Sequence, residues 1–136
     1  MTLFPAACGE KKAAVERYGP GGDVQTAERM ARWADRADAD WAQIMTDFVV
    51  NGMYARGILS TSIRELCAVA ALTVLQRTEE LRMHLRIALR TNPLEQVREV
   101  VLQMSVYGGI PVTVSTMRLL EEVLAEPEFA AGRGAQ

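Results

Sequence analysis

The chain has 136 residues, fifteen of them Lys or Arg and seventeen Asp or Glu, for a net charge of −2. That length fits one domain over residues 1–136 with a core that needs no disulfide or metal, and the scattered basic residues exclude the positive footprint that holds a phosphate backbone, so no nucleic-acid partner is expected. The apolar run over 66–75 is far short of the roughly 20 residues that cross a bilayer, and the N-terminus has no basic segment ahead of its apolar part, so neither a membrane span nor a secretion signal is expected.

Gly and Pro divide the chain into segments rich in Ala, Leu, Glu, Arg and Met, which predicts an all-α fold. Residues 1–22, which contain YGPGG, read as a partly ordered N-terminal extension. Helices follow over 24–36 and 39–51, the second with Asp38 as its N-cap. The next begins near Ser62, where SIRE places Ser62 and Glu65 at the spacing of a capping box, and runs through LCAVAALTVLQ. It is apolar nearly all round and should be buried on most sides. Thr78 then caps a helix with Glu79 and Glu80 in its first turn, continuing to about Arg90. Asn92, Pro93 and Glu95 supply N-cap, N1 and N3 of another that ends at Gly108. Pro111 opens the last long helix, through Glu126, and residues 128–136 form a frayed tail.

His84 is the one histidine. Leu81, His84, Leu85 and Ala88 fall at i, i+3, i+4 and i+7, the spacing of a core-facing stripe, with Arg82, Arg86 and Arg90 on the opposite side. An inward imidazole needs a polar partner, because an unsatisfied buried group costs roughly 1–3 kcal/mol. Glu80 is the local candidate and Glu65 the nonlocal one, since the helices bearing Glu65 and His84 are joined by a short connection and should pack as a hairpin. His84 is then either a hydrogen-bonded core histidine or a general acid/base beside a cavity. Glu65 is either its partner or the cap of its own helix. Tyr107 reads as a core aromatic or a site residue, and Arg56 as a surface pair or a ligand contact. Neither Cys8 nor Cys67 has CxxC or Cys/His metal spacing, which fits a reducing, cytoplasmic setting and no metal.

The segment from Gly52 to Leu124 resembles the carboxymuconolactone decarboxylase and alkyl hydroperoxidase D-like family. The residues that carry the likeness are GMYAR (52–56), RELCAVAALTVL (64–75), ELRMHLRIAL (80–89) and REVVLQMSVYGGIP (98–111), the last with Glu99, Gln103, Tyr107, Gly109 and Pro111 in the family's order. The segments around Trp33 and Trp41 are similar to the decarboxylase branch in placement. This resemblance implies an alkyl hydroperoxidase D-like helical domain with a central helical hairpin, assembled as a trimer or hexamer with active sites near subunit contacts. In the peroxidase-like branch a CxxC motif precedes the matching histidine, and its cysteine positions correspond here to Arg77 and Glu80, so no dithiol is present there. The nineteen-residue separation of Glu65 and His84 is kept.

The implied activity is loss of CO2 from a carboxylated unsaturated lactone or a related small organic acid, a lyase reaction with no cofactor because the substrate carries its own electron sink. In that scheme His84 is the acid/base, Glu65 orients it, and Tyr54, Arg56 and Tyr107 contact the substrate. Two departures, RTNPLEQ after the histidine helix and Val112, Thr113 and Val114 after the YxGxP proline, leave room for a cofactor-free cyclase, isomerase or lyase of a natural-product pathway. A noncatalytic oligomer that binds a small molecule or partner protein is the reading from another class.

Overall fold

The computed structural model describes Arg36 and residues 38–130, and every regular element among these is helical. The expected helix over 24–36 lies outside the described residues except for Arg36, as do Cys8, Trp33 and residues 131–136. The chain divides into two compact units after Ser60.

In the first unit, α1 (Ala39–Thr46) starts as expected on Asp38, whose carboxylate accepts the Trp41 backbone N–H at 2.8 Å. The helix expected to run to 51 instead widens at Asp47 into a π-helical stretch, Asp47–Met53. Gly52 permits this, because a Cβ there would stand 3.1 Å from the Asp47 carbonyl oxygen. The Asp47 carboxylate accepts from Gln43 Nε2 and Asn51 Nδ2, both at 2.9 Å, and so bridges the α-helical and π-helical turns. A 3-10 turn, Tyr54–Arg56, follows and stops at Gly57, which takes the left-handed conformation at φ 67°.

The second unit opens with two long helices, α2 (Thr61–Leu75) and α3 (Thr78–Thr91), packed against each other as the expected hairpin. Their connection is two residues long. Gln76 N–H donates to the Thr73 carbonyl and Arg77 N–H to the Leu72 carbonyl, both at 3.1 Å. This pair of bonds is the reversal that ends many helices with a left-handed residue, normally glycine. Here Gln76 occupies that place at φ 54°.

After α3 come α4 (Leu94–Gln103), a short α5 (Ser105–Gly108), α6 (Ile110–Leu124) and a last turn, α7 (Pro127–Ala130). Four expected boundaries are corrected. Thr78 is the first residue of α3 rather than its cap, with Arg77 preceding it. Asn92 does not cap the following helix: it closes α3, and α4 begins at Leu94 after Pro93, because the Asn92 side chain is engaged by α2 and α3. The single helix expected to reach Gly108 is interrupted at Met104. Residues 128–130, expected within a frayed tail, lie in α7. Pro111 sits in the first turn of α6 as expected, and Gly109, at φ 87°, makes the corner before it.

The core of this unit is Val69 from α2, Leu81, Leu85 and Ala88 from α3, Val97 and Val101 from α4, and Leu119, Leu120, Val123 and Leu124 from α6. α2 is less enclosed than its apolar sequence suggests. Its fully buried stripe is Glu65, Val69 and Thr73, while Ile63, Cys67 and Leu75 are exposed, which corrects the expectation that this helix is buried on most sides.

The arginine face of α3 is not simply solvated. Arg82 Nη2 donates to Glu122 at 2.6 Å, Arg86 grips Glu126 through Nε and Nη2 at 2.8 and 2.7 Å, and Arg90 grips Glu128 through the same atoms at 2.5 and 2.8 Å. Spaced four residues apart, these arginines form one row along the helix and tie α3 to the C-terminal end of the chain. The Arg90 guanidinium also stands 6.0 Å from the centre of the Phe129 ring. Among the described residues no helix is long and apolar enough to cross a membrane.

Two stability effects follow. Gln76→Gly removes the left-handed penalty of a side chain and should raise the unfolding free energy by about 0.5–1 kcal/mol in urea denaturation. The hydrogen bonds from Arg86 and Arg90 hold the Glu126 and Glu128 carboxyls below their ordinary value of 4.5. A depressed folded-state pKa stabilises the fold above the unfolded value and loses that contribution as pH falls through the folded one. Stability should therefore decline below about pH 4.5, the ordinary value itself. Glu126→Gln should cost up to about 1 kcal/mol at pH 6, a difference from wild type that closes on acidification.

Candidate active site

Two apolar stripes, one on each arm of the hairpin, bring the one histidine to a carboxylate. On α2 the inward positions are Glu65, Val69 and Thr73; on α3 they are Leu81, His84, Leu85 and Ala88. Where these faces meet, Glu65 Oε2 lies 2.7 Å from His84 Nδ1. The Glu65 side chain is 4% exposed and that of His84 20%, so the carboxylate is enclosed and the imidazole reaches the surface. Glu80, the local alternative, is exposed and does not bond the ring.

An ionised carboxylate only accepts, so with Glu65 in that form the contact assigns the proton to Nδ1. Nε2 then carries the lone pair, and it has no hydrogen-bond partner among the described residues. A carboxylate held on one imidazole nitrogen orients the ring and leaves the other nitrogen open, an arrangement that can serve general acid/base chemistry.

Ser62 does not form the expected capping box with Glu65. It lies inside the first turn of α2, and its hydroxyl donates to Asn92 Oδ1 at 2.5 Å. Glu65 is turned to His84 instead. Asn92 is buried, and its Nδ2 donates to the Ser62 carbonyl at 3.3 Å, the Ala88 carbonyl at 3.2 Å and Thr91 Oγ1 at 3.0 Å. Sequence reasoning missed this link, although a signal was present: Ser62 and Asn92 are 30 residues apart with the turn at Gln76 and Arg77 midway, and residues equidistant from a hairpin turn face each other.

The remaining expected site residues are placed as follows. Tyr107 is on α5, 69% exposed, and hydrogen-bonds to neither Glu65 nor His84. Tyr54 and Arg56 belong to the 3-10 turn of the first unit, the former half-buried and the latter exposed. Arg77 and Glu80 are exposed at the start of α3, and Cys67 is exposed on α2. Among the described residues no three His, Cys, Asp or Glu side chains are grouped as metal ligands. An open, mostly apolar groove of about 510 Å³ runs along α6, lined by Leu102, Ile110, Val114, Met117 and Arg118 among others; neither Glu65 nor His84 lines it.

The sequence of the carboxymuconolactone decarboxylase family, taken as a model, matches residues 39–122, from the start of α1 to near the end of α6. The chain belongs to this family. It is also 28% identical over 119 residues to the 4-carboxymuconolactone decarboxylase of Acinetobacter baylyi, an overlap of 82% of this chain and 89% of that protein. The family match contains Glu65, His84, Tyr54, Arg56 and Tyr107, and it also contains Ser62 and Asn92.

Because His84 is the one histidine, long-range 1H–15N correlation reads its ring without labelling ambiguity. The wild-type protein should carry its neutral-form proton on Nδ1. Glu65→Ala removes the acceptor and should move the proton to Nε2, with a loss of about 1–3 kcal/mol in stability.

Proposed function

We propose that this chain is a cofactor-independent carbon–carbon lyase that decarboxylates a carboxylated, unsaturated lactone or a related small organic acid. The observation that carries this is the 2.7 Å contact of Glu65 with His84, within the region matched by the decarboxylase family. The named activity of the Acinetobacter baylyi relative supports the same reaction class.

In the proposed step the bond from carbon to the substrate carboxylate breaks and CO2 leaves. The bonding pair passes into the conjugated carbonyl to give an enolate; His84 Nε2, having first taken up a proton from solvent to form the imidazolium, delivers it to carbon, which restores the carbonyl and returns the ring to its neutral Nδ1–H form. The substrate's own carbonyl is the electron sink, which is why the scheme includes no metal, flavin or pyridoxal. Glu65 keeps the ring in one tautomer and one orientation, so that Nε2 is the nitrogen that trades the proton. Arg56 and Tyr54 have the donor chemistry to hold carboxylate and carbonyl oxygens, and Tyr107 has the size and hydroxyl to close over a ligand or donate to it.

The proposal includes a homo-oligomer, trimer or hexamer. In support, Leu75, Val106 and Ile110 are 65%, 76% and 71% exposed on the second unit, apolar side chains that a second copy would cover.

His84→Gln should retain the helical circular dichroism of the wild type and lose about 10²–10⁴-fold in kcat for CO2 release from a carboxylated unsaturated lactone. Unchanged turnover in the folded variant sinks the assignment of His84. Turnover of the substrate without CO2 would point to isomerisation or cyclisation at the same pair.

A further inference from the structure

The Glu65–His84 pair joins two helices whose only covalent tie is a two-residue turn at the far end. From Gln76 to Glu65 the chain rises about 16 Å along α2. Interhelical angles vary by about 15–20° among packed pairs, and on that lever a 10° opening would carry Glu65 about 3 Å sideways. A contact of 2.7 Å does not survive such a movement. The apolar side chains between the arms, Val69, Leu85 and Ala88, resist separation, but apolar burial is non-directional and sets no register of its own.

The open end of the hairpin has a directional fastening. Asn92 accepts the Ser62 hydroxyl at 2.5 Å and returns Nδ2 to the Ser62 carbonyl at 3.3 Å, so side chain and backbone of α2 are both held. On its own helix the same amide donates to the Ala88 carbonyl at 3.2 Å, and the Asn92 backbone N–H donates there at 2.8 Å. Each grip falls one helical turn from a member of the pair: Ser62 precedes Glu65 on α2, and Ala88 follows His84 on α3. Asn92 is buried, which makes these bonds costly to leave unmade.

We propose that Asn92 and Ser62 are positioning residues for the acid/base pair: their hydrogen bonds fix the register of α2 against α3 and thereby hold Glu65 on Nδ1 of His84. This deepens the proposed function and rests on it for its catalytic meaning. The geometric claim stands on the hairpin alone. A displacement of about 1 Å at a reacting group is enough to cost roughly 10²-fold in rate.

The test reads the His84 tautomer by 1H–15N correlation in Ser62→Ala, Asn92→Ala, the double variant and Ser62→Thr, with Glu65→Ala marking complete loss of the contact. Ser62→Ala and Asn92→Ala should each shift the ratio of Nδ1–H to Nε2–H forms about tenfold toward the Glu65→Ala value, the scale of one lost charge-assisted hydrogen bond. The double variant should go no further than either single one, because both remove the same link. Ser62→Thr keeps the hydroxyl and should retain the wild-type ratio. A fastening that serves stability alone would lower the urea midpoint and leave the native tautomer ratio unchanged, and that result overturns the proposal. If Asn92→Ala does not fold, Ser62→Ala decides by itself, since it deletes one hydroxyl from a half-buried position. The readout needs no substrate, so it separates the two claims. A shifted tautomer with full turnover in His84→Gln leaves the register device standing and removes the acid/base assignment; an unshifted tautomer with His84→Gln inactive does the reverse.

Discussion

A carboxylate withdrawn from water is the constraint on which the second unit turns. Glu65 is 3% exposed at the start of the buried row Glu65, Val69 and Thr73, where an unpartnered charge would oppose folding by several kcal/mol. The polar atom that meets it belongs to the other arm of the hairpin, so the requirement of one side chain is met only when the two helices are set against each other in this register. His84 answers that requirement with one nitrogen and keeps the second for other use. Under the proposed function, structure and chemistry are served by opposite sides of a single ring.

Much of this was legible in the sequence, and the reasons differ from residue to residue. The inward stripe of α3 follows from helical spacing, and Leu81, Leu85 and Ala88 lie where the periodicity puts them. The all-helical class followed from composition and from Gly and Pro punctuation. Local signals failed where a polar side chain had two possible partners. Ser62 and Glu65 stand at capping-box spacing, yet both bond across the hairpin, to a buried Asn92 thirty residues away and a half-buried His84 nineteen residues away. Asn92 followed by Pro93 resembles a helix start, and its amide is spent on the helix before it. The widening of α1 at Asp47 had only Gly52 to announce it, and a glycine reads equally as a terminator.

The arginines of α3 were placed on the correct face but without partners. Periodicity says which way a side chain points and not what stands there. Glu122, Glu126 and Glu128 arrive from the other end of the unit, and the match became visible only when α6 and α7 were laid against α3. Arg77 and Glu80 carry a different lesson. They sit where redox relatives would have a cysteine pair, and here they are exposed charged side chains at a helix start. No atoms for thiol exchange stand at those places.

The hairpin turn has a kinetic meaning as well. Glu65 and His84 are nineteen residues apart, and the segment between them is two helix pieces and a two-residue reversal. Closing so short a loop costs little chain entropy, and contacts of low sequence separation form early in folding. The Glu65–His84 contact is therefore open to local encounter, ahead of the row of arginines that must wait for glutamates some forty residues downstream.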